Sequence, residues 1–426
     1  AVSNSTEPLI FRTDRLRLGF DGVVSPHNLQ PAWSIREPDA MFLSSPAATG
    51  GRVYAGSCIL DPPGNYGTLF CVDAASGEEL WSAAFVDDPA TGEEIELKGF
   101  FSSPAVTADG KRLIVGQGLH YDTDCSLLCF NTDTGALLWR VPTPLHIESS
   151  PAIHGDIVVA GAGAIEDENM RPVSDPGYVI AVRISTGKIL WRHDVIDPES
   201  SPVIGEDGTV FIGSGFNGKA VVALRSEPDD ELAAQGVERL VWKTDTQWPV
   251  TGAVTLLDDL VIVGCGNGNY VYAAPNPAGA VIALDRETGE ERWRLRTADA
   301  VLGAVAVRDG VAVCAIRNGE VIALDLEKAV GAPEDAILWR ATVSEDSPVL
   351  TGPAFTGDRV YAISKDGYLA VIDATNGDVV ERLYINDETK PGELGLCISS
   401  PTVAHGRLYV GSETGGMRCL AGGRDE

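Results

Sequence analysis

The sequence has no long apolar segment. Its 426 residues contain no run of about 18 apolar residues, the length a helix needs to cross a bilayer. The first twenty residues also lack the basic and then apolar order of a secretory signal peptide. We therefore predict no transmembrane segment. An exported protein whose leader had been removed would begin in the same way.

Basic residues are scarce. The chain has 32 Lys and Arg against 61 Asp and Glu, which gives a formal net charge of −29. Nucleic acids and anionic membranes are bound mainly by Lys and Arg that meet phosphate groups, so this balance argues against both as partners. An acidic surface favours solubility, including in salty surroundings, and it attracts cations or a basic partner.

The eight cysteines form none of the short-range pairs that carry chemistry. No CxxC, CxxCH or directly adjacent pair occurs, which excludes zinc ribbons, thioredoxin-type redox motifs and c-type haem attachment. A P-loop, a dinucleotide fingerprint, a nucleophile elbow and an HExxH motif are also missing. Disulfide pairing stays open, because the spacing selects no single connectivity.

A short phrase recurs along nearly the whole chain. It consists of two small residues, often Ser-Ser-Pro, followed by an apolar run, and it returns at intervals of 47 to 58 residues. Repeats of this period are typical of propellers and solenoids, in which neighbouring copies bury each other's apolar faces. The eight copies start at Ser44, Ser102, Ser149, Ser200, Thr251, Leu302, Thr351 and Ser399.

One copy, residues 102–139, contains four short apolar segments joined by turns. This pattern predicts a four-stranded antiparallel meander that needs neighbours on both faces. We therefore predict an all-β, eight-bladed β-propeller over residues 26–426, preceded by a loose or outward-packed leader, residues 1–25. The last copy lacks a fourth strand, and the N-terminal segment LQPAWSI is predicted to complete it and close the ring.

A Trp ends the fourth strand of most copies. It follows a Gly-containing turn in phrases such as DAASGEELW and NTDTGALLW, and Glu381 stands in its place in the seventh copy. Because aromatic burial contributes strongly where sheets meet, one Trp at a fixed place in each blade favours a packing role over a ligand platform.

The repeated TGxxxW-type motif resembles the pyrroloquinoline-quinone-like propeller superfamily, also called quinoprotein alcohol dehydrogenase-like, over about residues 30–423. The resemblance implies a fold and not an activity, because the superfamily holds quinone-dependent dehydrogenases and also non-enzymatic scaffold and binding propellers. In the dehydrogenases, the quinone stacks between a Trp and a disulfide of adjacent cysteines. Adjacent cysteines are missing here, so we expect no pyrroloquinoline quinone and a closer relation to the non-enzymatic members.

The loops on one face of the predicted ring are unequal. In a radial meander, the loops between second and third strands share a face with the connections between blades. On this face blades six to eight have short turns, whereas blades one, two, three and five have longer loops. Unequal loops favour a binding surface. The longer loops are residues 59–67, 119–126, 164–177 and 266–279.

Two histidines and several carboxylates are predicted to converge on the central funnel at this face. Such groups suit a divalent ion, calcium or zinc, or an acid–base pair. The candidate metal ligands are His146, Glu148 and Glu199. The full set of candidate ligand-binding residues is Phe42, Phe100, Phe101, His120, Tyr121, Asp122, His146, Glu148, Glu199 and Trp248.

Each group of candidates also has a plain structural interpretation. The carboxylates can be solvated loop residues of an acidic protein, and the aromatic side chains can plug the channel mouth instead of forming a platform for a sugar or an apolar peptide. The patterns predict a monomeric, secreted or periplasmic binding or scaffold propeller whose loop-rich face takes a protein, a small molecule or a glycan. The alternative is an enzyme with a metal-assisted lyase, hydrolase or oxidoreductase site in the funnel.

Overall fold

The computed structural model describes residues 7–61, 64–167 and 171–422. Over these ranges, eight four-stranded antiparallel sheets follow one another around a ring, which confirms the predicted eight-bladed propeller. In blades one to seven the innermost strand comes first in the chain and the later strands pair outward in order, whereas the outermost strand of blade eight comes from the N-terminal segment. No helix in the described part of the chain is long and apolar enough to cross a membrane.

The strands of the first four blades are short. In blades one and two they are Ala47–Thr49, Arg52–Gly56, Leu69–Asp73 and Glu79–Ala83, then Ala105–Val106, Arg112–Gly116, Cys125–Asn131 and Leu137–Thr143. In blades three and four they are Ala152–His154, Ile157–Gly163, Gly177–Arg183 and Lys188–Asp194, then Val203–Ile204, Thr209–Ser214, Ala220–Arg225 and Leu240–Asp245. Blade one also carries two hairpins, Ile59–Asp61 with Gly64–Tyr66 and Phe85–Asp87 with Glu94–Glu96.

The other four blades repeat this pattern. Blades five and six contain Thr255–Leu256, Leu260–Gly266, Gly279–Asp285 and Glu291–Thr297, then Ala306–Arg308, Val311–Ala315, Glu320–Asp325 and Ile337–Thr342. Blades seven and eight contain Ala354–Phe355, Arg359–Ile363, Tyr368–Asp373 and Val379–Tyr384, then Thr402–Ala404, Arg407–Gly411, Met417–Gly422 and Leu29–Ile35. The helical elements precede the fourth strands of blades four and six, and they are Asp229–Gln235, Leu326–Ala329 and the 3₁₀ turn Pro333–Ala336.

A β-bulge in the fourth strand aims each Trp at the next blade. In blade two, Cys129 pairs with Trp139 while Phe130 pairs with Leu137, so the fourth strand has one extra residue. Trp139 is buried, and its indole N–H donates to the carbonyl of Ile184 in blade three at 2.7 Å. The packing role predicted for this position is confirmed, because the same bond at 2.7–2.9 Å is made by Trp81, Trp191, Trp242 and Trp339.

The N-terminal strand closes the ring as predicted. Leu29–Ile35 pairs antiparallel with Met417–Gly422, and this completes blade eight. Glu381, which replaces Trp in blade seven, takes part in the closure. Its carboxylate accepts hydrogen bonds from the backbone N–H of Asn28 at 2.6 Å and of Leu29 at 2.9 Å. The substitution of Trp by Glu therefore anchors the start of the closing strand.

We expect Glu381→Ala to lower the free energy of unfolding by about 1–2 kcal/mol, because two charge-assisted hydrogen bonds to the closing strand are lost. Glu381→Gln keeps one oxygen that accepts a hydrogen bond, so it should lower the free energy of unfolding by less. The control is Glu388→Ala at an exposed position, which should change stability by less than about 0.5 kcal/mol. Urea unfolding measures all three variants. Equal losses for the two alanine variants would show that Glu381 does not hold the strand.

The leader packs inside the ring, so the expectation of a loose or outward-packed segment is wrong for residues 9–21. These residues cross the ends of inner strands opposite the funnel. Backbone N–H groups of blades five to eight donate to the carbonyls of Arg15, Leu16, Leu18 and Gly19 at 2.7–2.9 Å. Residues 1–6 of the leader lie outside the described residues.

Two arginines of the leader occupy the channel itself. Arg17 is fully buried, and its guanidinium donates to the carbonyl oxygens of Val254 at 2.8 Å, Pro202 at 2.7 Å and Phe11 at 2.6 Å. Arg12, which is 3% exposed, donates to the carbonyls of Pro401 and Pro353. The leader is therefore a plug that gives backbone carbonyls at the ring's centre their hydrogen-bond donors.

The structure corrects the register of the repeated phrase in two blades. The backbone N–H groups of Ile147 and Val250 donate to the carbonyls of Gln117 and Ser214, which hold equivalent places at the ends of the second strands of blades two and four. Counting from these residues, Thr251 is equivalent to Glu148 and not to Ser149. The same shift applies to Leu302 in blade six, where Val301 makes the equivalent bond. An alignment of the repeats by their small residues alone cannot fix the register in blades where Gly and Ala replace the two Ser residues.

Candidate functional site: the central funnel

The corrected register reveals a rim of eight equivalent residues around the mouth of the central cavity. Five of them are large and apolar, one is Thr, and two are Glu. Each residue directly precedes the small-residue pair of its blade, and all eight line the cavity. In chain order, the rim consists of Leu43, Phe101, Glu148, Glu199, Thr251, Leu302, Leu350 and Ile398.

A second ring of small residues lies below the rim. Hydrogen bonds between blades connect part of it, since the backbone N–H of Ser45 donates to Ser103 Oγ and that of Ser103 donates to Ser150 Oγ, both at 2.9 Å. Their small side chains leave room for a cavity along the axis. The second ring consists of Ser45, Ser103, Ser150, Ser201, Ala253, Ala304, Gly352 and Ser400.

The leader lies across one end of the cavity. The cavity volume is about 300 Å³, and the floor includes Phe11 of the leader, just above the buried arginines. Residues from the longer loops, including His120, Tyr121 and Tyr270, form the upper wall. The leader thus converts a channel into a blind funnel that opens toward the loop-rich face.

His146, Glu148 and Glu199 meet on one side of this funnel. Glu148 and Glu199 belong to the rims of adjacent blades, and one ligand atom from each of the three residues lies within 4.8 Å of the others. His146 is fully buried, and its Nδ1 lies 3.6 Å from Glu148 Oε1 while its Nε2 lies 3.6 Å from Glu199 Oε1. The structure brings these three residues together, as expected.

His120 contacts the same carboxylate from the loop of blade two. Its Nδ1 lies 3.4 Å from Glu148 Oε1, and its backbone N–H donates to that oxygen at 2.8 Å. Burial lowers the pKa of His120, but the Glu148 carboxylate outweighs this effect and leaves the pKa above its ordinary value. In the buried His146, desolvation prevails and the pKa falls below its ordinary value.

The two rim carboxylates differ electrostatically. Burial acts to raise the pKa of Glu148, but hydrogen bonding to His120 and the charges of both histidines bring it below its ordinary value. Burial raises the pKa of Glu199 well above its ordinary value, and the neighbouring carboxylates Asp197, Glu148 and Glu166 raise it further. Neighbouring carboxylates repel one another, so the four carboxyl groups do not all ionise together, and the negative charge concentrates on Glu148.

Asp197 and Glu166 were missed as site residues by reasoning from the sequence. Asp197 is fully buried and Glu166 is 4% exposed. Burial, followed by the charge of Asp197, raises the pKa of Glu166 to about 7. Asp197 stands two residues before Glu199, but its backbone has a φ of 52° within a bend, so the alternation of an extended strand did not point to it. Glu166 comes from the loop of blade three, and no local pattern pointed to it.

The expected aromatic platform is only partly present. Phe101 belongs to the rim, but Phe42 and Phe100 are 1% and 0% exposed and pack in cores between blades. Trp248 packs partly buried against the core of blades two to five and is not part of the funnel wall. In extended backbone, neighbouring side chains point to opposite sides, which places Phe100 in the core and Phe101 in the funnel.

The other two candidates have separate positions. Tyr121 is 44% exposed at the funnel mouth, where its ring contacts the ring of His120 edge-on at 5.1 Å. Asp122 turns away into its own loop. There its Oδ2 accepts hydrogen bonds from the backbone N–H of Leu119 at 2.6 Å and from the side chain of Asn65. Asp122 therefore braces the loops of blades one and two and does not face the cavity.

Comparison with known proteins agrees with this architecture. A family model described as "Outer membrane protein assembly factor BamB" matches residues 22–264 and 233–424. The chain belongs to this family. The predicted superfamily, and its non-enzymatic side as the nearer relation, are confirmed by these matches.

Individual relatives fall into two groups. The chain is 24% identical to the outer membrane protein assembly factor BamB of Shewanella oneidensis over 381 residues, which cover 84% of the chain and 82% of the relative. It is 26% identical over 299 residues to the dehydrogenase subunit of a quinone alcohol dehydrogenase of Gluconacetobacter polyoxogenes, covering 63% of the chain and 35% of that subunit. This match thus spans about a third of that subunit's length.

Solved structures of both groups share the fold. BamB from Moraxella catarrhalis superposes with a TM-score of 0.62 at 16% identity, covering 92% of this chain and 99% of that one. The quinohemoprotein alcohol dehydrogenase of Comamonas testosteroni gives a TM-score of 0.62 at 13% identity, covering 98% and 81%. At these identities the similarity concerns the fold alone.

The funnel does not fit pyrroloquinoline quinone. This cofactor is a flat tricarboxylate, whereas the funnel places two Glu side chains at its mouth, and its described wall contains no Lys, Arg, Trp or Cys. All eight cysteines are buried and free, so the stacking disulfide of the dehydrogenases has no counterpart. The charge of the lining and the missing stacking groups thus both disfavour the quinone.

Proposed function

We propose that this protein is a periplasmic or extracellular binding propeller that holds a protein partner on its loop-rich face. The observation that carries the proposal is the distribution of exposed apolar side chains. Each of the four longer loops presents at least one at the surface around the funnel. They are Tyr66, Tyr121, Val173, Val271 and Tyr272, which are 40–67% exposed.

The shape of the funnel supports a partner that inserts a side chain. Five apolar rim residues surround a blind cavity of about 300 Å³, enough for one large side chain. Exposed aromatic and aliphatic groups around a central pocket are typical of protein-binding surfaces, where an anchor fills the pocket. The match to an outer membrane assembly factor supports both the protein partner and a location outside the cytoplasm.

Site-specific photo-crosslinking in the native host tests this proposal. A photoreactive amino acid at Tyr121 or Tyr272 should crosslink one and the same protein partner. The matched control is Leu338, which is 46% exposed on blade six, away from the longer loops. Crosslinks to the same partner from all three positions, or from none, would contradict docking on the loop-rich face.

Once that partner is purified, Tyr272→Asp should weaken binding at least about tenfold, because a charge replaces an apolar contact in the interface. Val330→Asp is the matched control. Val330 is 66% exposed, like Tyr272 at 67%, but it lies next to the short helix of blade six. Equal affinity losses would mean that surface charge in general, and not the loop-rich face, sets the affinity.

A further inference from the structure

His146 has a lone pair that no protein group satisfies. Its Nε2 lies 3.0 Å from the carbonyl oxygen of Ala164. A carbonyl only accepts hydrogen bonds, so Nε2 carries the proton and Nδ1 has the free lone pair. This Nδ1 is buried without a hydrogen-bond partner among the described residues, and Glu148 Oε1 stands 3.6 Å away. A lone pair that faces a carboxylate is unfavourable unless a cation or a proton lies between them.

The surroundings hold more carboxyl groups than basic groups. The carboxyl groups of Asp197 and Glu166 are buried there as well, and the Asp197 carboxyl interacts with that of Glu199. No Lys or Arg is found among the described residues of the funnel wall. Buried carboxylates are normally paired, protonated or bound to a metal. Both histidines are therefore placed among acidic groups that lack a fixed cation.

The backbone makes room for these side chains. A Cβ added at Gly163 would lie 2.6 Å from Cε1 of His146 and 3.0 Å from Cγ of Glu199. Only glycine leaves space for the imidazole and the carboxylate to lie side by side at this point. The carbonyl of Ala164 then fixes the ring orientation, as second-shell carbonyls do for metal-binding histidines.

We propose that His146, Glu148 and Glu199 bind one divalent transition-metal ion, with Nδ1 of His146 as the nitrogen ligand and an open coordination position toward the funnel. Tetrahedral ligands of Zn²⁺ lie about 3.4 Å apart, given metal–ligand distances of about 2.0–2.2 Å. Nδ1 of His146 lies 3.6 Å from Glu148 Oε1, which is close to this spacing. Glu199 Oε1 lies 3.6 Å from the other ring nitrogen, so the Glu199 side chain must turn toward Nδ1 to reach the same ion. His120 positions Glu148 through its backbone N–H.

The ligand set favours zinc-like ions over calcium. Ca²⁺ takes six to eight oxygen ligands, and an imidazole nitrogen does not suit it. One imidazole with two carboxylates suits Zn²⁺ and neighbouring transition metals, and three protein ligands leave a position for an exogenous group. The site lies in the funnel wall, and its ligands are different residues from the exposed apolar side chains proposed above to dock a partner.

Titration of the metal-stripped full chain with Zn²⁺ tests the site. We expect one bound ion per chain, and His146→Ala and Glu148→Gln should each weaken binding at least about 100-fold. The matched control, His154→Ala, removes a histidine of the same blade at the far end of its inner strand, and it should leave zinc affinity unchanged. Affinity unchanged by His146→Ala, or stoichiometry well below one, would overturn the proposal.

Co²⁺ gives a readout that does not depend on affinity alone. Bound Co²⁺ should show visible absorption bands of a four-coordinate nitrogen–oxygen site, and these bands should change in Glu199→Gln. Circular dichroism of each variant verifies the fold. If His146→Ala fails to fold, the isosteric Glu148→Gln and Glu199→Gln variants test the metal site in its place. Bands that are the same in both isosteric variants and the parent would place the ion elsewhere and reject the site. Crosslinking at Tyr272 is expected to survive all these changes.

Discussion

Arg17→Ala is expected to lower the free energy of unfolding by about 4 kcal/mol. The fully buried guanidinium donates to the carbonyls of Val254, Pro202 and Phe11. The loss of one charged group that serves several buried acceptors leaves each acceptor unpaired, and such changes are among the most destabilising single substitutions. Urea unfolding followed by circular dichroism measures the change.

Arg15→Ala is the matched control for this prediction. Arg15 is two residues away in the same leader, but its side chain is 38% exposed and pairs with Asp258, which is 90% exposed. Such surface ion pairs contribute little to stability, so we expect Arg15→Ala to lower the free energy of unfolding by less than about 1 kcal/mol. If Arg17→Ala were no more destabilising than Arg15→Ala, the leader would not be part of the cooperative fold.

The plug also shapes the cavity. Phe11 forms part of the funnel floor, and it directly precedes the buried Arg12. A loosened leader would open the far end of the cavity. While the plug is in place, the funnel opens toward the loop-rich face.

Gly161→Ala is expected to lower the free energy of unfolding by at least about 3 kcal/mol. A Cβ at this position would overlap the carbonyl oxygen of Pro198, where blades three and four meet. Gly161 has an ordinary backbone conformation, so the cost comes from contact and not from dihedral strain. Pro198 directly precedes Glu199, and the variant should therefore also disturb the funnel wall.

Gly331→Ala controls for the change of residue type. A Cβ added at Gly331 meets no heavy atom within 4 Å. We expect this variant to be neutral or slightly stabilising, because alanine reduces the entropy of the unfolded chain. Thermal unfolding of both variants gives the comparison. Similar melting temperatures would mean that the backbone near Pro198 shifts to accommodate the added methyl group, and they would contradict this prediction.

The sequence alone determined the eight blades, the four strands in each, the packing role of the Trp and the closing strand. These features arise from local patterns that repeat, and each copy adds independent evidence for the same unit. The rim positions of Glu148 and Glu199 were also predictable, because their place relative to Ser-Ser-Pro is constant. The position of a residue relative to the Ser-Ser-Pro phrase sets its height along the axis of the propeller.

Only the tertiary structure decided how side chains meet across blades. Phe100 and Phe101 are neighbours in the sequence, yet one lies in a core and the other lines the funnel, because extended backbone alternates its two sides. The path of Arg17 into the channel depends on carbonyls from blades four and five, which no local pattern describes. The convergence of His146 with Glu199 likewise depends on packing between two blades. Sequence spacing fixes position within a repeat, whereas close contacts between repeats are set by the packing of the closed ring.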